Sequence, residues 1–249
     1  MELTITLSGE LPARCAQALA ALAPELSLRM AEGGVPVRGQ RGDRLAVCFD
    51  GETVAVTWAQ PVQFYRALSL LPRPLSPCRI EEKPCFETVG IMFDCSRNAV
   101  LLPETLRSIL RKMALMGLNL GMMYTEDTYE VPGQPYFGYQ RGRYTFAELQ
   151  ALDDYADMLG IELCPCVQTL GHLNRALHWP AMQHLQDNDE VLLADDEQTY
   201  EFLRQILAAA SAPYRSKRIH IGMDEAHGVG MGAHLRRFGY EKPYTCLLY

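Results

Sequence analysis

Short apolar runs alternate with amphipathic helical patterns in the part of the sequence that follows residue 85. Runs typical of strands occur at VGIMFD (89–94), LNLGMMY (118–124), IELCPCV (161–167) and RIHIGM (218–223). Helical periodicity predicts helices over residues 103–116, 145–160 and about 196–210. Near-continuous apolar strands separated by helices indicate a parallel sheet that is covered on both faces.

Capping signals bound two of these helices. Pro103 suits the first turn of a helix and Gly117 suits a helix end. Thr145 and Glu148 form a capping box for the next helix, and Gly160 ends it. Each helix has one apolar face, formed by Leu106, Ile109, Leu110 and Met113 in the first and by Phe146, Leu149, Leu152 and Ala156 in the second.

The first 85 residues predict a smaller module. Its strands are LTITL (3–7), RLAVCFD (44–50) and ETVAVTW (52–58), and its helices run from about Pro12 to Leu22 and from about Pro61 to Leu71. Asp50-Gly51 predicts a hairpin, because glycine accepts the positive φ of a tight turn. Four prolines, at positions 72, 74, 77 and 84, then predict a linker. We therefore expect a small α/β N-terminal domain with a proline-rich linker at residues 1–85 and a second domain at residues 86–249.

The charge balance excludes one class of partner. The 249 residues have a formal net charge of −7 and a pI near 5.4, whereas nucleic-acid binders concentrate basic residues on one face. Residues 224–227 spell the DEAH box of helicase ATPases. That class also needs a GxxxxGKS/T loop, and none of the four lysines follows a glycine. We therefore expect no nucleic-acid partner.

The sequence also predicts a compartment. The start, MELTITLSGELPARC, lacks a basic segment followed by an apolar run, and no stretch is long and apolar enough to span a bilayer. The eight cysteines have no CxxC spacing, and the Cys164-Pro165-Cys166 cluster lacks further ligands nearby in sequence. We interpret the cysteines as buried hydrophobic residues and expect a cytoplasmic protein without a membrane partner.

Ionisable residues follow all four predicted strands of the second domain. Because the carboxyl ends of parallel strands meet at one rim, their loops build the binding site of such folds. Any one of these groups could be a solvated loop or a surface ion pair, but four in a row predict a catalytic site. The residues are Asp94 and Arg97, Glu126 and Asp127, His172, and finally Asp224 and Glu225.

Three of these segments resemble the β-N-acetylhexosaminidases of glycoside hydrolase family 20. They are FDCSRN (93–98), QTLGH (168–172) and HIGMDEAH (220–227), of which the adjacent Asp-Glu pair is the most specific. The resemblance implies an α/β fold in which a small N-terminal α/β domain precedes the first half, about four βα units, of a (β/α)8 TIM-type barrel. It also implies hydrolysis of terminal β-linked N-acetylhexosamine (GlcNAc or GalNAc) from oligosaccharides or glycoconjugates, with no metal or other cofactor.

The resemblance implies a role for each site residue in a retaining, substrate-assisted mechanism. Glu225 would be the general acid/base, and Asp224 would orient the acetamido group of the substrate. His172 and Asp127 would support the pair, while Arg97 or Asp94 would bind sugar hydroxyls. His220 is expected to pack inside the barrel. One departure is Val89, which stands where relatives commonly carry an arginine that contacts the sugar.

The length of the chain qualifies this interpretation. The sequence ends at Tyr249, whereas a closed barrel alone takes roughly 250 residues. The resemblance thus implies a truncated hexosaminidase with an incomplete acetamido pocket and open sheet edges that favour self-association. A catalytically dead carbohydrate-binding fragment is the non-enzyme alternative.

Two further alternatives stay open from the residues themselves. A metal-dependent TIM-barrel hydrolase would use His172, His220, Asp224 and His227 as ligands. The segment YFGYQRGRY (136–144) mixes aromatic residues with arginines; it could line a sugar subsite or form a solvated loop.

Overall fold

Residues 2–240 are described by the structure, which is a computed structural model of the chain. They divide into two compact units, the first formed by residues 2–91, 102–121 and 154–162 and the second by residues 92–101, 122–153 and 163–240. The predicted domain boundary between residues 85 and 86 stays a prediction. None of the helices in residues 2–240 combines the length and the hydrophobicity that crossing a bilayer requires.

The first unit contains a six-stranded mixed sheet within its described residues. The strands are β1 (Leu3–Gly9), β2 (Leu28–Met30), β3 (Val35–Arg41), β4 (Leu45–Phe49), β5 (Val54–Trp58) and β6 (Cys78–Glu82). Their spatial order is β2-β1-β3-β5-β4-β6, and β4 runs antiparallel to both of its neighbours. The predicted hairpin between β4 and β5 is confirmed. Gly51 has a φ of 109°, and the Asp50 carboxylate accepts the backbone N–H groups of Glu52 and Thr53.

Part of the segment predicted as a linker is a strand. β6 pairs with β4, and its Glu82 carboxylate lies 2.8 Å from the Arg66 guanidinium. All four prolines of the segment lie outside β6, which is an edge strand, so proline removes no hydrogen bond from the ladder. The linker prediction is therefore wrong for residues 78–82.

Three helices of the first unit are α1 (Cys15–Leu26), α2 (Pro61–Ser69) and α3 (Pro103–Met116). The bounds of α3 agree with the prediction at both ends, and Gly117 has the left-handed φ of 79° expected of a helix end. α1 begins later than predicted, because Arg14 has a φ of 55° and cannot continue a right-handed helix backwards to Pro12. α3 packs against α1 and α2, and Arg111 Nε lies 2.5 Å from Glu25 Oε1 between α3 and α1.

A second sheet brings together the predicted barrel strands β7 (Gly90–Asp94), β8 (Leu120–Tyr124) and β9 (Glu162–Cys166), in the spatial order β7-β8-β9. β7 and β8 run in the same direction. Near their beginnings the Asn119 N–H donates to the Val89 carbonyl, and near their ends the Cys95 N–H donates to the Tyr124 carbonyl. The carboxyl ends of these strands therefore meet at one edge, as the sequence predicts.

Residues 218–223, predicted as the fourth strand, make only one isolated β-bridge among the described residues, between Cys166 and His220. Pairing continues irregularly beyond it, where the Thr169 N–H donates to the Gly222 carbonyl at 3.0 Å. Gly222 has a φ of 51°, outside the β region, and a side chain there would meet the Val167 carbonyl oxygen at 2.3 Å. The prediction of a regular strand is therefore wrong here, although the segment does lie beside β9 and pairs with its carboxyl end.

Both edges of this sheet are exposed within the described residues. β7 is an edge strand, and residues 218–223 form the opposite edge. Four apolar side chains at these edges are between 38 and 50% exposed: Ile91, Met92, Ile221 and Met223.

The remaining described helices are α4 (Phe146–Met158), α5 (Asn174–Leu177), a 3-10 helix (Pro180–Leu185), α6 (Glu197–Ser211) and α7 (Ala233–Phe238). They lie in the second unit except for the last part of α4, because residues 154–158 belong to the first unit. The predicted capping box of α4 is confirmed, since Thr145 Oγ1 accepts the Glu148 N–H at 3.2 Å and Glu148 Oε2 accepts the Thr145 N–H at 2.8 Å. Leu149 and Leu152 are buried, but Phe146 is 47% exposed, which corrects its place on the predicted apolar face.

Replacing Thr145 with alanine should lower the free energy of unfolding by about 1 kcal/mol, because the Glu148 N–H loses its side-chain acceptor. Urea denaturation followed by circular dichroism would measure the change. Thr145→Ser keeps the hydroxyl and should stay within about 0.5 kcal/mol of the original chain. Equal losses in both variants would contradict a capping role for the hydroxyl.

Candidate active site

An open cavity of about 680 Å³ lies in the second unit at the carboxyl ends of the strands. Four predicted site residues line it: Asp94 and Arg97, which follow the first strand, and Asp224 and Glu225, which follow the fourth predicted strand. His220, expected inside the barrel, is exposed and lines the same cavity. Among residues 2–240, the side chains that line it belong to Met92, Asp94, Arg97, Tyr124, Cys166, Gln168, His220, Met223, Asp224 and Glu225.

The adjacent carboxylates Asp224 and Glu225 lie in a turn opposite His172. Nε2 of His172 is 3.5 Å from Asp224 Oδ2 and 3.5 Å from Glu225 Oε2. Both His172 (φ 56°) and Glu225 (φ 50°) adopt left-handed backbone conformations that are uncommon outside glycine and cluster at functional sites. Gly171 permits the close approach, because a Cβ there would lie 3.1 Å from the Asp224 carbonyl oxygen. One imidazole can therefore interact with either carboxylate.

Asp224 is held as a carboxylate by its surroundings. Gln168, which is 1% exposed, donates from Nε2 to Asp224 Oδ1 at 3.3 Å and to the Tyr124 hydroxyl at 3.1 Å. Partial burial acts to raise the pKa of Asp224. Its own backbone N–H, the Gln168 amide and the nearby His172 and His220 outweigh that effect, so the pKa is lowered. Asp224 is thus ionised at neutral pH and can stabilise a developing positive charge.

Arg97 links the first rim position to the second. It donates to the Tyr124 hydroxyl at 2.9 Å and from Nε to Glu126 Oε1 at 3.4 Å, and its guanidinium lies 4.9 Å from the centre of the Tyr124 ring. The hydrogen bond to Tyr124 is the largest cause of the raised pKa of Arg97. Asp94 accepts the N–H groups of Ser96 and Arg97 at 3.0 Å and so fixes the turn that presents the arginine. The Arg97 side chain remains 51% exposed and available to a ligand.

Asp127 is almost fully buried, with 1% of its surface exposed, and it is not among the described residues that line the cavity. Its Oδ1 accepts Arg141 Nε at 3.1 Å, whereas its Oδ2 is a buried oxygen without a hydrogen bond among the described residues. Burial raises the pKa of Asp127, and the Arg141 charge acts in the opposite direction. Arg141 also donates to the Ser96 carbonyl at 2.8 Å. Asp127 can therefore act on the site only through neighbours, and its supporting role stays a prediction.

A metal could be held by a donor set that shares His172 and Asp224 with the metal-hydrolase alternative but has Glu225 in place of its other two histidines. The ligand atoms of His172, Asp224 and Glu225 lie within 4.8 Å of one another, which provides the minimum set for a catalytic zinc. His220 and His227 do not belong to this group of described residues. The Nδ1 atom of His220 instead accepts the Gly222 N–H at 3.2 Å.

Three residues of this network were not predicted: Tyr124, Gln168 and Arg141. Tyr124 is the last residue of β8, and Gln168 lies within QTLGH, so their positions after strands were visible in the sequence. Neither carries a formal charge, however, and Arg141 is separated from Asp127 by 14 positions.

The known proteins that this chain resembles in sequence or structure include several hexosaminidases. Beta-hexosaminidase 3 of Arabidopsis thaliana is 26% identical over 185 residues, covering 69% of this chain and 34% of the plant protein. The exo beta-N-acetylglucosaminidase of Vibrio harveyi superposes with a TM-score of 0.79 and 18% identity, covering 98% of this chain and 48% of that one. The beta-N-acetylhexosaminidase of Streptomyces coelicolor gives a TM-score of 0.76 and 20% identity, with 94% and 58% covered.

These similarities confirm the predicted fold class, a small N-terminal α/β domain followed by the first half of a (β/α)8 barrel. The chain spans about a third of the plant relative and about half of the two bacterial enzymes. The family description "Glycosyl hydrolase family 20, catalytic domain" matches residues 86–237, which is more than half of the chain. The chain therefore belongs to glycosyl hydrolase family 20.

Proposed function

We propose that the protein removes terminal β-linked N-acetylhexosamine, GlcNAc or GalNAc, from oligosaccharides or glycoconjugates by a retaining, substrate-assisted mechanism. The observation that carries this proposal is the pair Asp224 and Glu225, which lies beside His172 at an open cavity of about 680 Å³. Family membership and the names of the bacterial relatives, an exo beta-N-acetylglucosaminidase and a beta-N-acetylhexosaminidase, support it.

The chemistry needs one acid and one anion. Glu225 donates a proton to the glycosidic oxygen while the acetamido carbonyl oxygen of the substrate attacks C1, so the new C1–O bond forms as the glycosidic bond breaks. Asp224, an anion at neutral pH, accepts the acetamido N–H and stabilises the oxazolinium ion. Water then attacks C1 while the bond between C1 and the acetamido oxygen breaks, Glu225 takes the proton of the water, and the product keeps its configuration. The tethered nucleophile supplies several kcal/mol through proximity.

The other predicted residues support this reaction from the rim. Arg97, which is half-exposed, donates to sugar hydroxyls, and Asp94 fixes its turn or accepts a hydroxyl itself. His172 hydrogen-bonds to Glu225 or Asp224 as the proton moves. Asp127 acts through Arg141 and Ser96, which lie between it and Arg97.

Release of the aryl group from an aryl β-N-acetylglucosaminide by the 249-residue chain tests the proposal. We expect release that is unchanged by EDTA, because the mechanism uses no metal. Activity lost in EDTA and restored by zinc would favour a metal site at His172, Asp224 and Glu225. No release at all would contradict activity of this chain and favour the carbohydrate-binding fragment.

We also propose that the protein is cytoplasmic and self-associates. The exposed apolar side chains at the two edges of the second sheet, Ile91, Met92, Ile221 and Met223, support association, because open edges and apolar patches promote pairing. Sedimentation velocity should detect dimers or larger species at micromolar concentration. A purely monomeric chain that stays soluble would contradict the self-association proposal.

A further inference from the structure

An aromatic cluster lies on the surface of the second unit, outside the cavity that contains Asp224 and Glu225. Trp179 is its centre: the ring centroids of Tyr139, Tyr136 and His178 lie 5.3, 5.8 and 4.2 Å from it. Tyr136 and Tyr139 also contact each other at 6.0 Å, yet they are 42 and 46% exposed. The rings therefore pack together without being buried, which leaves apolar surface open to a ligand.

The loop that carries the two tyrosines is rigidly anchored. Between them, Phe137 is fully buried and packs edge-on against Tyr129 at 5.1 Å. Gly138 has a φ of 65°, and a Cβ there would lie 2.1 Å from the Asp127 carbonyl oxygen. The loop backbone therefore lies directly against the segment that follows β8. Arg143 donates to the Phe137 carbonyl at 2.6 Å. A ligand that binds here would not have to order the loop first, which lowers the entropic cost of binding.

The segment that carries His178 and Trp179 is also anchored. Trp179 lies between α5 and the 3-10 helix, and it caps the start of the latter. His178 Nδ1 interacts with the Arg175 carbonyl at 2.6 Å, which ties the cluster to the preceding turn of α5. The tryptophan therefore has a fixed position relative to Arg175.

A polar cleft of about 240 Å³ shares lining residues with the candidate active site and with the two segments that carry the aromatic cluster. Its lining includes Arg97 and His172, which belong to the site, together with Arg141 and Arg175. Arg141 follows Tyr139 by two residues, and Arg175 precedes Trp179 by four. Arg97 lines both this cleft and the cavity of the carboxylate pair. The cleft therefore lies next to the carboxylate pair through Arg97, and it lies next to the aromatic cluster through Arg141 and through Arg175, whose carbonyl contacts His178.

We propose that the polar cleft and the aromatic cluster bind the reducing-end side of the oligosaccharide whose terminal sugar the carboxylate pair cleaves. A pyranose ring has a rim of hydroxyl groups and an apolar C–H face. The cleft offers charged donors and acceptors to the hydroxyls of the first leaving sugar, and the cluster offers aromatic surface to the C–H face of a further sugar. The proposal rests on the proposed function, and it makes the substrate an oligosaccharide rather than a small glycoside.

Binding of sugars of different length tests the proposal without requiring turnover. The probes are GlcNAc and the β-1,4-linked trimer of GlcNAc, added to the chain carrying Glu225→Gln so that the probe stays intact. The sequence has two tryptophans, of which Trp58 is 2% exposed, so Trp179 reports on the cluster through its fluorescence. We expect the trimer to bind at least about tenfold more tightly than GlcNAc and to change the emission.

Substitutions in the cluster should remove this advantage. Tyr136→Ala and Tyr139→Ala should each reduce the preference for the trimer several-fold. The matched control is Tyr200→Ala, because Tyr200 is a 44% exposed tyrosine on α6 that belongs to no ring contact of the cluster. Equal affinity for the monosaccharide and the trimer, or an equal loss in Tyr200→Ala, would overturn the proposal.

The proposed function can fail separately. If the unsubstituted chain hydrolyses neither the aryl glycoside nor the trimer but the trimer still binds through the cluster, the catalytic assignment fails and the subsite stands. If the chain hydrolyses both and the tyrosine variants bind the trimer normally, the subsite fails and the catalytic assignment stands.

Discussion

Replacing Glu225 with glutamine should lower kcat for phenyl β-N-acetylglucosaminide, whose leaving oxygen needs a proton, by a factor of about 10² to 10⁴, the range that general acid catalysis contributes. The amide has nearly the same shape as the carboxyl group but cannot donate a proton to the glycosidic oxygen. Because the neighbouring Asp224 remains, binding of the acetamido group should persist, and KM should change much less than kcat. Steady-state kinetics of the two chains provide the measurement.

The leaving group offers a sharper criterion. A dinitrophenolate departs with little protonation, so the loss caused by Glu225→Gln should be small for that glycoside and large for a sugar leaving group. Glu201→Gln is a suitable control, because Glu201 lies exposed on α6 and pairs with Arg204 at 2.9 Å. The same loss for every leaving group, or near-normal turnover of the sugar glycoside, would assign the acid role elsewhere.

The helices show how far local signals determine this fold. α3 could be predicted to the residue because a proline begins it and a glycine in the left-handed region ends it. α1 has no comparable start signal. Its first residue is determined by the positive φ of Arg14. Arginine rarely adopts this conformation, so the sequence contains no signal that predicts it.

Strand β3 was missed for a related reason. It lies between β1 and β5 and pairs with both of them, but it contains Pro36 and Gly39, which are depleted in strand interiors. Gly39 is required there by tertiary structure, because a Cβ would lie 2.2 Å from the Glu10 carbonyl oxygen. The composition of this strand therefore reflects contacts that only the complete sheet creates.

The candidate site likewise contains residues that local sequence signals predict and contacts that only the tertiary structure creates. Asp224 and Glu225 could be predicted because they directly follow an apolar segment, and His172 because it follows β9 closely. The pairing of Asp127 with Arg141 could not be predicted, since a long loop returns the arginine to the rim from 14 residues away. Breaking that ion pair should cause the largest loss of stability that we expect from a single substitution.

Arg141→Met should lower the free energy of unfolding by about 3 kcal/mol at pH 7, because it leaves the Asp127 carboxylate buried without its ion-pair partner. Methionine retains an apolar stem that can fill the space of the arginine stem. Arg204→Met is the matched control: both partners of that ion pair are more than half exposed, so its loss should cost no more than about 0.5 kcal/mol. Urea denaturation of the three chains would measure both changes.

The dependence on pH separates lost charge pairing from lost packing. Burial already raises the pKa of Asp127 above its ordinary value of 3.8, and removing Arg141 removes the largest opposing influence, so the pKa rises further. A carboxyl group whose pKa is raised by folding favours the folded state below its unfolded pKa, and that contribution is lost as the pH rises through the folded pKa. The deficit of Arg141→Met should therefore be largest at pH 7 and shrink as the pH falls and Asp127 takes up a proton. Adding Asp127→Asn should recover much of the loss at pH 7, and a deficit that is independent of pH would mean that packing of the arginine stem dominates.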